Sequence, residues 1–286
     1  MDEINGASGR TPKFFLKPKV WKALVVAVGY MIVYLGVSQL VARGLKLDIP
    51  EGELLTVPEY IYKGFMLPIA ITSVLLAGFA AAIGWLKPLF SRQTVKGSKW
   101  MWIGPIAVSL YIVGHFLSAD YSKVSFSVII AILIATAFVG FTEELLTRGF
   151  MVKMVRESGK SEFWVAVISS LVFGLMHSTN ILTGQSLSNT AVQLVITFMF
   201  GIVMYISLRV TGFLWVTILL HWLYDASLFI QTGSITSSEI SAVGPFAIVA
   251  SFSGILVPLV GFLSLFFIRG NYSKKRISEE KVVSSK

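Results

Sequence analysis

Eight apolar stretches, each about long enough to cross a lipid bilayer, constrain this chain more than any other feature. They lie near residues 20–42, 64–86, 100–118, 124–147, 163–180, 188–208, 212–231 and 244–268. About 20 apolar residues in a helix span the hydrocarbon core. The runs are continuous, whereas barrel strands alternate apolar and polar residues. In lipid, backbone polar groups must be satisfied inside the protein, which leaves helices or a closed barrel. The expected fold is all-α, a polytopic membrane protein of about eight transmembrane helices. Composition agrees. Only 14% of residues are charged, against about 25% in soluble domains, and mean hydropathy is +0.77.

The charges sort by loop. With the N-terminus inside, the cytoplasmic side holds Lys22, Lys87, Arg92, Lys96, Lys99, Arg148, Lys153, Arg156, Lys160, the Arg209 turn and the Lys274-Lys275-Arg276 cluster. The other side holds only Arg43, Lys46, Lys63 and Lys123. The positive-inside rule then puts both termini in the cytoplasm. It also accounts for the net charge of +9 without nucleic acid. The tail cluster reads as a stop-transfer flank. The polar leader before residue 20 is long for a signal peptide, so the first run reads as a retained span. The stretch Gly78 to Ala82 is rich in small residues, which suits close helix packing in lipid. There is no cysteine, which excludes disulfides, thiolate metal sites and a cysteine nucleophile.

Most acidic residues fall in tails and loops; Glu143, Glu144 and Asp225 fall inside apolar runs. An intramembrane ionisable residue is a functional hypothesis by default. The histidines His115, His177 and His221 also lie in or near spans. Glu144 and Arg148, Phe173 and His177, and His221 and Asp225 are each four residues apart, so each pair shares a helix face. Arg148 can neutralise a glutamate, and Asp225 can orient His221. Glu143 and His177 lie at similar distances before and after the charged turn at 157–162, roughly 20 Å from it on straight helices. His221 lies on the same side, so the three can meet.

Such a cluster has the parts of a hydrolase. Glu143 or Glu144 suits a general base, His177 can hold the water, and His221 backed by Asp225 can stabilise an oxyanion. His177, His221 and Glu143 also match a divalent metal such as zinc in donor type, although nothing in the spacing demands one. His115 has no partner motif and reads as structural.

These residues also carry a resemblance. Glu143-Glu144-Leu145-Leu146-Thr147-Arg148 resembles the EExxxR motif of the CPBP family, the CAAX-protease and bacteriocin-processing membrane proteins. Phe173 to His177 is similar to its FxxxH motif, and His221 to Asp225 to its HxxxN/D motif. The resemblance covers about 124–231. It implies a helical membrane protease with a catalytic cavity between helices, in which Glu143 and His177 activate water. His221 and Asp225 would stabilise the oxyanion, Glu144 and Arg148 would complete the polar network, and Phe173 would wall the substrate cavity. It implies either a metal or a purely glutamate-based mechanism. The eukaryotic CAAX branch has Asn where this chain has Asp225.

The organisation that follows is a tail at 1–19, accessory helices at 20–123, a catalytic core at 124–231, a last loop and helix at 232–268, and a basic tail at 269–286. The expected partners are a membrane-associated peptide or protein substrate and the bilayer, and the expected location is a bacterial plasma membrane. The rival readings are a non-catalytic scaffold or bacteriocin self-immunity protein with the same fold, and a proton-relaying transporter. HExxH is absent, no second intramembrane Asp completes an aspartyl dyad, and the Ser186 region lacks a nucleophile elbow.

Overall fold

The ends of the long helices fall where the sequence supplies a start or a stop. Pro58 opens one helix at its first turn, where the missing N–H costs nothing. Ser125 and Ser186 open two others, each accepting a backbone N–H on its hydroxyl. Gly159 and Gly212 take left-handed φ values of 90° and 80°, which lets the chain reverse within two to four residues. The computed structural model that carries these details describes residues 11–50, 53–93, 95–232 and 243–271.

Among the described residues there is no strand, and eight helices are long and apolar enough to cross a membrane. They are α1 Val20–Gly44, α2 Pro58–Ala82, α3 Lys99–Ser118, α4 Phe126–Glu157, α5 Glu162–Leu182, α6 Leu187–Thr211, α7 Leu214–Thr232 and α8 Ala247–Ser264. Their outer faces are apolar: Ile32, Leu40, Ile106, Phe126, Ile248 and Ile255 are all strongly exposed. Hydrocarbon solvates such a surface and water does not. The protein is an integral membrane protein.

Two helices depart from the expected limits. α2 starts at Pro58 rather than 64, because its first turn is a polar extension with an exposed Glu59–Lys63 pair at 2.6 Å. α4 runs ten residues past 147, through a π-helical stretch Leu145–Met151 and a last α segment Val152–Glu157. The small residues at 78–82 do not make the close helix contact expected of them. Gly78 has open space around it, and of the four small residues only Ala80 is buried. The first ten residues and the Lys274-Lys275-Arg276 cluster lie outside the described residues.

Helix α4 packs on α7, α5 on α6, and α3 on both α7 and α8. α1 reaches this bundle mainly through α2. Glycines set the tightest crossings. A Cβ on Gly140 of α4 would lie 2.8 Å from the Trp222 backbone nitrogen of α7, so no other residue allows this approach. The Trp222 indole fixes the same pair, donating to the Leu133 carbonyl at 2.8 Å.

One end of the bundle is closed by charge. Glu162, expected in a loop, has no exposed surface. It accepts two hydrogen bonds from Arg156, both at 2.9 Å, one from Arg209 at 3.1 Å and one from the Tyr205 hydroxyl. Arg156 and Arg209, read from sequence as loop charges, are therefore buried. Arg156 also reaches Gln93, and Arg209 the Lys96 carbonyl. The Glu162 backbone N–H donates to Gly270. The α2–α3 loop, the α4–α5 turn, α6 and the segment after α8 are thus tied to one residue. Removing one partner of a buried ion pair costs about 3–5 kcal/mol, because the other charge stays buried and unpaired. Glu162→Ala is expected to destabilise the protein by that order in a detergent unfolding titration. Glu59→Ala, at an exposed pair, is expected to change it by less than about 0.5 kcal/mol.

Candidate active site

The site begins with a glutamate that cannot reach water. Glu144 ends the regular part of α4 and is fully buried. One turn on, Arg148 is equally buried and holds Glu144 Oε1 at 3.2 Å. The π-helical widening starts between them. Thr147 helps to explain it, because its hydroxyl takes the Glu143 carbonyl at 2.5 Å. Such back-bonding competes with the helix ladder, and Gly149 two residues on is a poor helix former. Arg148 also donates to the Thr147 hydroxyl and to the Gly201 carbonyl of α6 at 2.9 Å, while its Nε is buried without a hydrogen-bond partner among the described residues.

Helix α7 supplies the next layer. His221 Nδ1 lies 3.1 Å from Glu144 Oε1. A carboxylate paired with arginine only accepts, so Nδ1 carries the proton and donates it. This turns Nε2 toward Asp225 Oδ2 at 3.5 Å and Glu143 Oε2 at 3.8 Å. Glu143 and Asp225 keep 17% and 16% of their side-chain surface accessible, against none for Glu144. The two adjacent glutamates thus differ in kind: Glu144 is locked inside, while Glu143 borders open space. Glu143 Oε2 is nevertheless buried and has no hydrogen-bond partner among the described residues.

His177 is placed by a change of helix type. At this residue α5 tightens, and its backbone N–H bonds to Gly174 rather than to Phe173. A 3₁₀ segment, His177–Thr183, follows. The Phe173 carbonyl that this releases is taken by the histidine's own ring, through Nδ1 at 3.0 Å. The FxxxH spacing is therefore a capping geometry, and it leaves Nε2 available. His177 joins the cluster through an aromatic hub rather than a direct bond. The Phe173 ring meets His177 edge to face at 5.2 Å and His221 at 5.6 Å, and Arg148 lies over it at 4.7 Å. Phe173 itself is 1% exposed.

All seven residues singled out in the sequence thus belong to one cluster. Several others in it carried no signal of their own. Phe200 of α6 packs against His221 at 5.1 Å and Tyr224 at 4.5 Å, and Tyr224 stacks on Tyr111 at 4.0 Å. His115 ends this column of rings, 3.6 Å from Tyr111, with its Nδ1 on the Tyr111 carbonyl. On the other side, Ser73 of α2 bonds the hydroxyl of Thr142, next to Glu143, and Tyr30 of α1 donates to Thr72 at 3.3 Å. Helices before residue 124 therefore build part of the cluster.

The donors considered for a metal do not converge. Among the described residues no three His, Asp or Glu side chains are placed to hold an ion. A cleft lined by Arg92, Gln93, Lys153 and Glu157 contains none of the site residues.

Residues 125–227 match the family model described as Rce1-like, type II CAAX prenyl endopeptidase, a protease family. The match contains Glu143, Glu144, Arg148, Phe173, His177, His221 and Asp225. Neither the curated proteins nor the solved structures compared with the chain gave a match.

The Glu144–Arg148 pair generates a clear expectation. Arg148→Met leaves Glu144 buried with only His221 to balance it, and should cost about 3 kcal/mol or more in a detergent unfolding titration. Arg148→Lys keeps the charge but not the planar fork that reaches Thr147 and Gly201, and should recover only part of the loss.

Proposed function

Since the chain carries an Rce1-like domain over residues 125–227, we propose that it is an intramembrane endopeptidase whose nucleophile is a water activated by Glu143. The observation that carries this reading is the contrast between the two glutamates. Each has one buried oxygen without a partner among the described residues, but Glu144 is fully enclosed and held through Oε1 by Arg148 and His221, whereas 17% of the Glu143 side chain is accessible and its unpartnered Oε2 lies 3.8 Å from His221 Nε2. With no protein donor on that oxygen among the described residues, a water is the partner this reading assigns to it.

The water, held between Glu143 and His177, gives a proton to the Glu143 carboxylate as its oxygen attacks the scissile carbonyl carbon. The carbonyl oxygen becomes an oxyanion and accepts the Nε2 N–H of a doubly protonated His221, whose charge is balanced by Glu144 at Nδ1 and by Asp225 beside Nε2. Collapse of the tetrahedral species breaks the C–N bond. The proton stored on Glu143 passes to the departing nitrogen, leaving an amine and a carboxylic acid. Glu144, itself held by Arg148, fixes the His221 ring orientation throughout. The donor spacing favours this glutamate-type route over a metal-assisted one.

The substrate is a membrane-associated peptide or protein. The end of the bundle that carries the α2–α3 loop and the α4–α5 turn holds most of the loop lysines and arginines, which supports a cytoplasmic position for it and for both termini in a plasma membrane.

Two experiments test this reading. Cells expressing wild type or Glu143→Gln at matched membrane levels are compared by mass spectrometry of new protein termini. Termini that appear only with wild type are expected, because loss of a general base costs about 10²–10⁴ in rate. Identical profiles would refute the catalytic reading and favour a scaffold or immunity role. On a peptide identified in this way, activity should stay within about twofold after EDTA dialysis. Loss on dialysis and recovery with zinc would return the mechanism to the metal type.

A further inference from the structure

Beyond His177 the chain turns from α5 into α6 through an unusually polar corner. In a 3₁₀ segment side chains three apart lie on one face, so Asn180 shares a face of this segment with His177. Its amide Nδ2 donates to Gln193 Oε1 of α6 at 2.9 Å, and Gln185 Nε2 donates to the same oxygen at 3.0 Å. The Gln185 backbone N–H closes the loop onto the Asn180 carbonyl at 3.1 Å. Gln193 lies two turns inside α6, and all three amides are only half-buried. The surrounding surface is lipid-facing: Leu182 and Leu187 are about three-quarters exposed, and Val192 is more than half exposed.

Polar amides within a span are costly unless they have partners. Here they bond one another, and they do so in a directed way. Gln193 Oε1 is the shared acceptor of two amides, which fixes the flip of its side chain. Its NH₂ group then points away from that shared oxygen as a donor, and the Gln185 Oε1 remains as an acceptor. A primary amide offers the donor and acceptor pattern of a peptide bond, and an extended peptide is read through alternating main-chain donors and acceptors.

We propose that Asn180, Gln185 and Gln193 form a subsite that binds the main chain of an extended peptide substrate next to His177, with the apolar rim of the corner as the side from which the peptide leaves the lipid. This rests on the peptidase reading above and adds to it where the substrate lies. The three amides are positioning residues and take no part in bond cleavage. Because they read backbone, they impose little preference on side chains.

The test uses the full-length protein in phosphatidylcholine–phosphatidylglycerol vesicles and a mixed-sequence library of synthetic peptides. Cut sites and rates are read by mass spectrometry at several library concentrations. Gln193→Leu keeps the side-chain volume and removes its hydrogen bonds. It is expected to raise KM about fivefold to tenfold, the value of one hydrogen bond, with kcat within about twofold and the same bonds cut. Gln185→Leu, in the loop before α6, carries the same expectation if the helix substitution does not fold. An unchanged KM, or a kcat loss that tracks a lower unfolding midpoint, would refute the subsite and leave the peptidase reading standing. Absence of any cut by wild type would refute both. Glu143→Gln serves as the blank.

Discussion

A carboxylate buried among apolar helices must be neutralised where it stands, and the architecture around Glu144 follows from that requirement. Arg148 meets it from the same helix at 3.2 Å, and His221 meets it from α7 at 3.1 Å. Moving either helix by an ångström would strand a charge in a medium that cannot solvate it. The ion pair therefore holds α4 against α7 at one depth and one rotation. Gly140 allows the approach, and the Trp222 indole secures it. Arg148 extends the tie to α6 through the Gly201 carbonyl. Three helices are thus fixed by one desolvated guanidinium and its partner, which is how side chains from distant parts of the chain keep a working geometry.

The second buried cluster performs a similar task at the end of the bundle. Glu162 gathers Arg156, Arg209 and Tyr205, and through the arginines the loop at Gln93 and Lys96, while its own backbone N–H holds the Gly270 carbonyl. Because it sits at the α4–α5 turn, it fixes how far each of these helices runs before the catalytic level. Hydrophobic matching alone sets helix depth loosely, since mismatch costs only fractions of a kcal/mol per ångström. A charge cluster sets it sharply. The two clusters together give the bundle a fixed end and a fixed middle.

Between them, the departures from regular helix mark the chemistry. The π-helical stretch follows Glu144, and the 3₁₀ segment begins at His177. Each is associated with a polar side chain that takes a backbone carbonyl: Thr147 that of Glu143, and His177 that of Phe173. Both distortions are short, and Glu143 and His177 are linked across them through His221 and Phe173.

Much of this could be read in the sequence, and the limits of that reading have physical causes. The eight spans follow from run length and hydropathy. The cluster of Glu143, Glu144, Arg148, His177, His221 and Asp225 follows from the cost of ionisable groups in lipid and from i,i+4 spacing. Local spacing could not distinguish the two adjacent glutamates; burial did, enclosing Glu144 completely and leaving part of the Glu143 side chain accessible. Nor could it place Glu162, which looks like a loop residue until Arg156 and Arg209 arrive from two helices. Phe200, Tyr224, Tyr30 and Thr72 joined the site with no motif to announce them, because packing partners are chosen by three-dimensional proximity. The sequence by itself determined which segments lie in the membrane and which side chains are too polar to be there idly. Only the tertiary structure decided which of those side chains neutralise one another and which remain available, because a desolvated charge takes its partner from whichever helix the fold brings within about 3 Å.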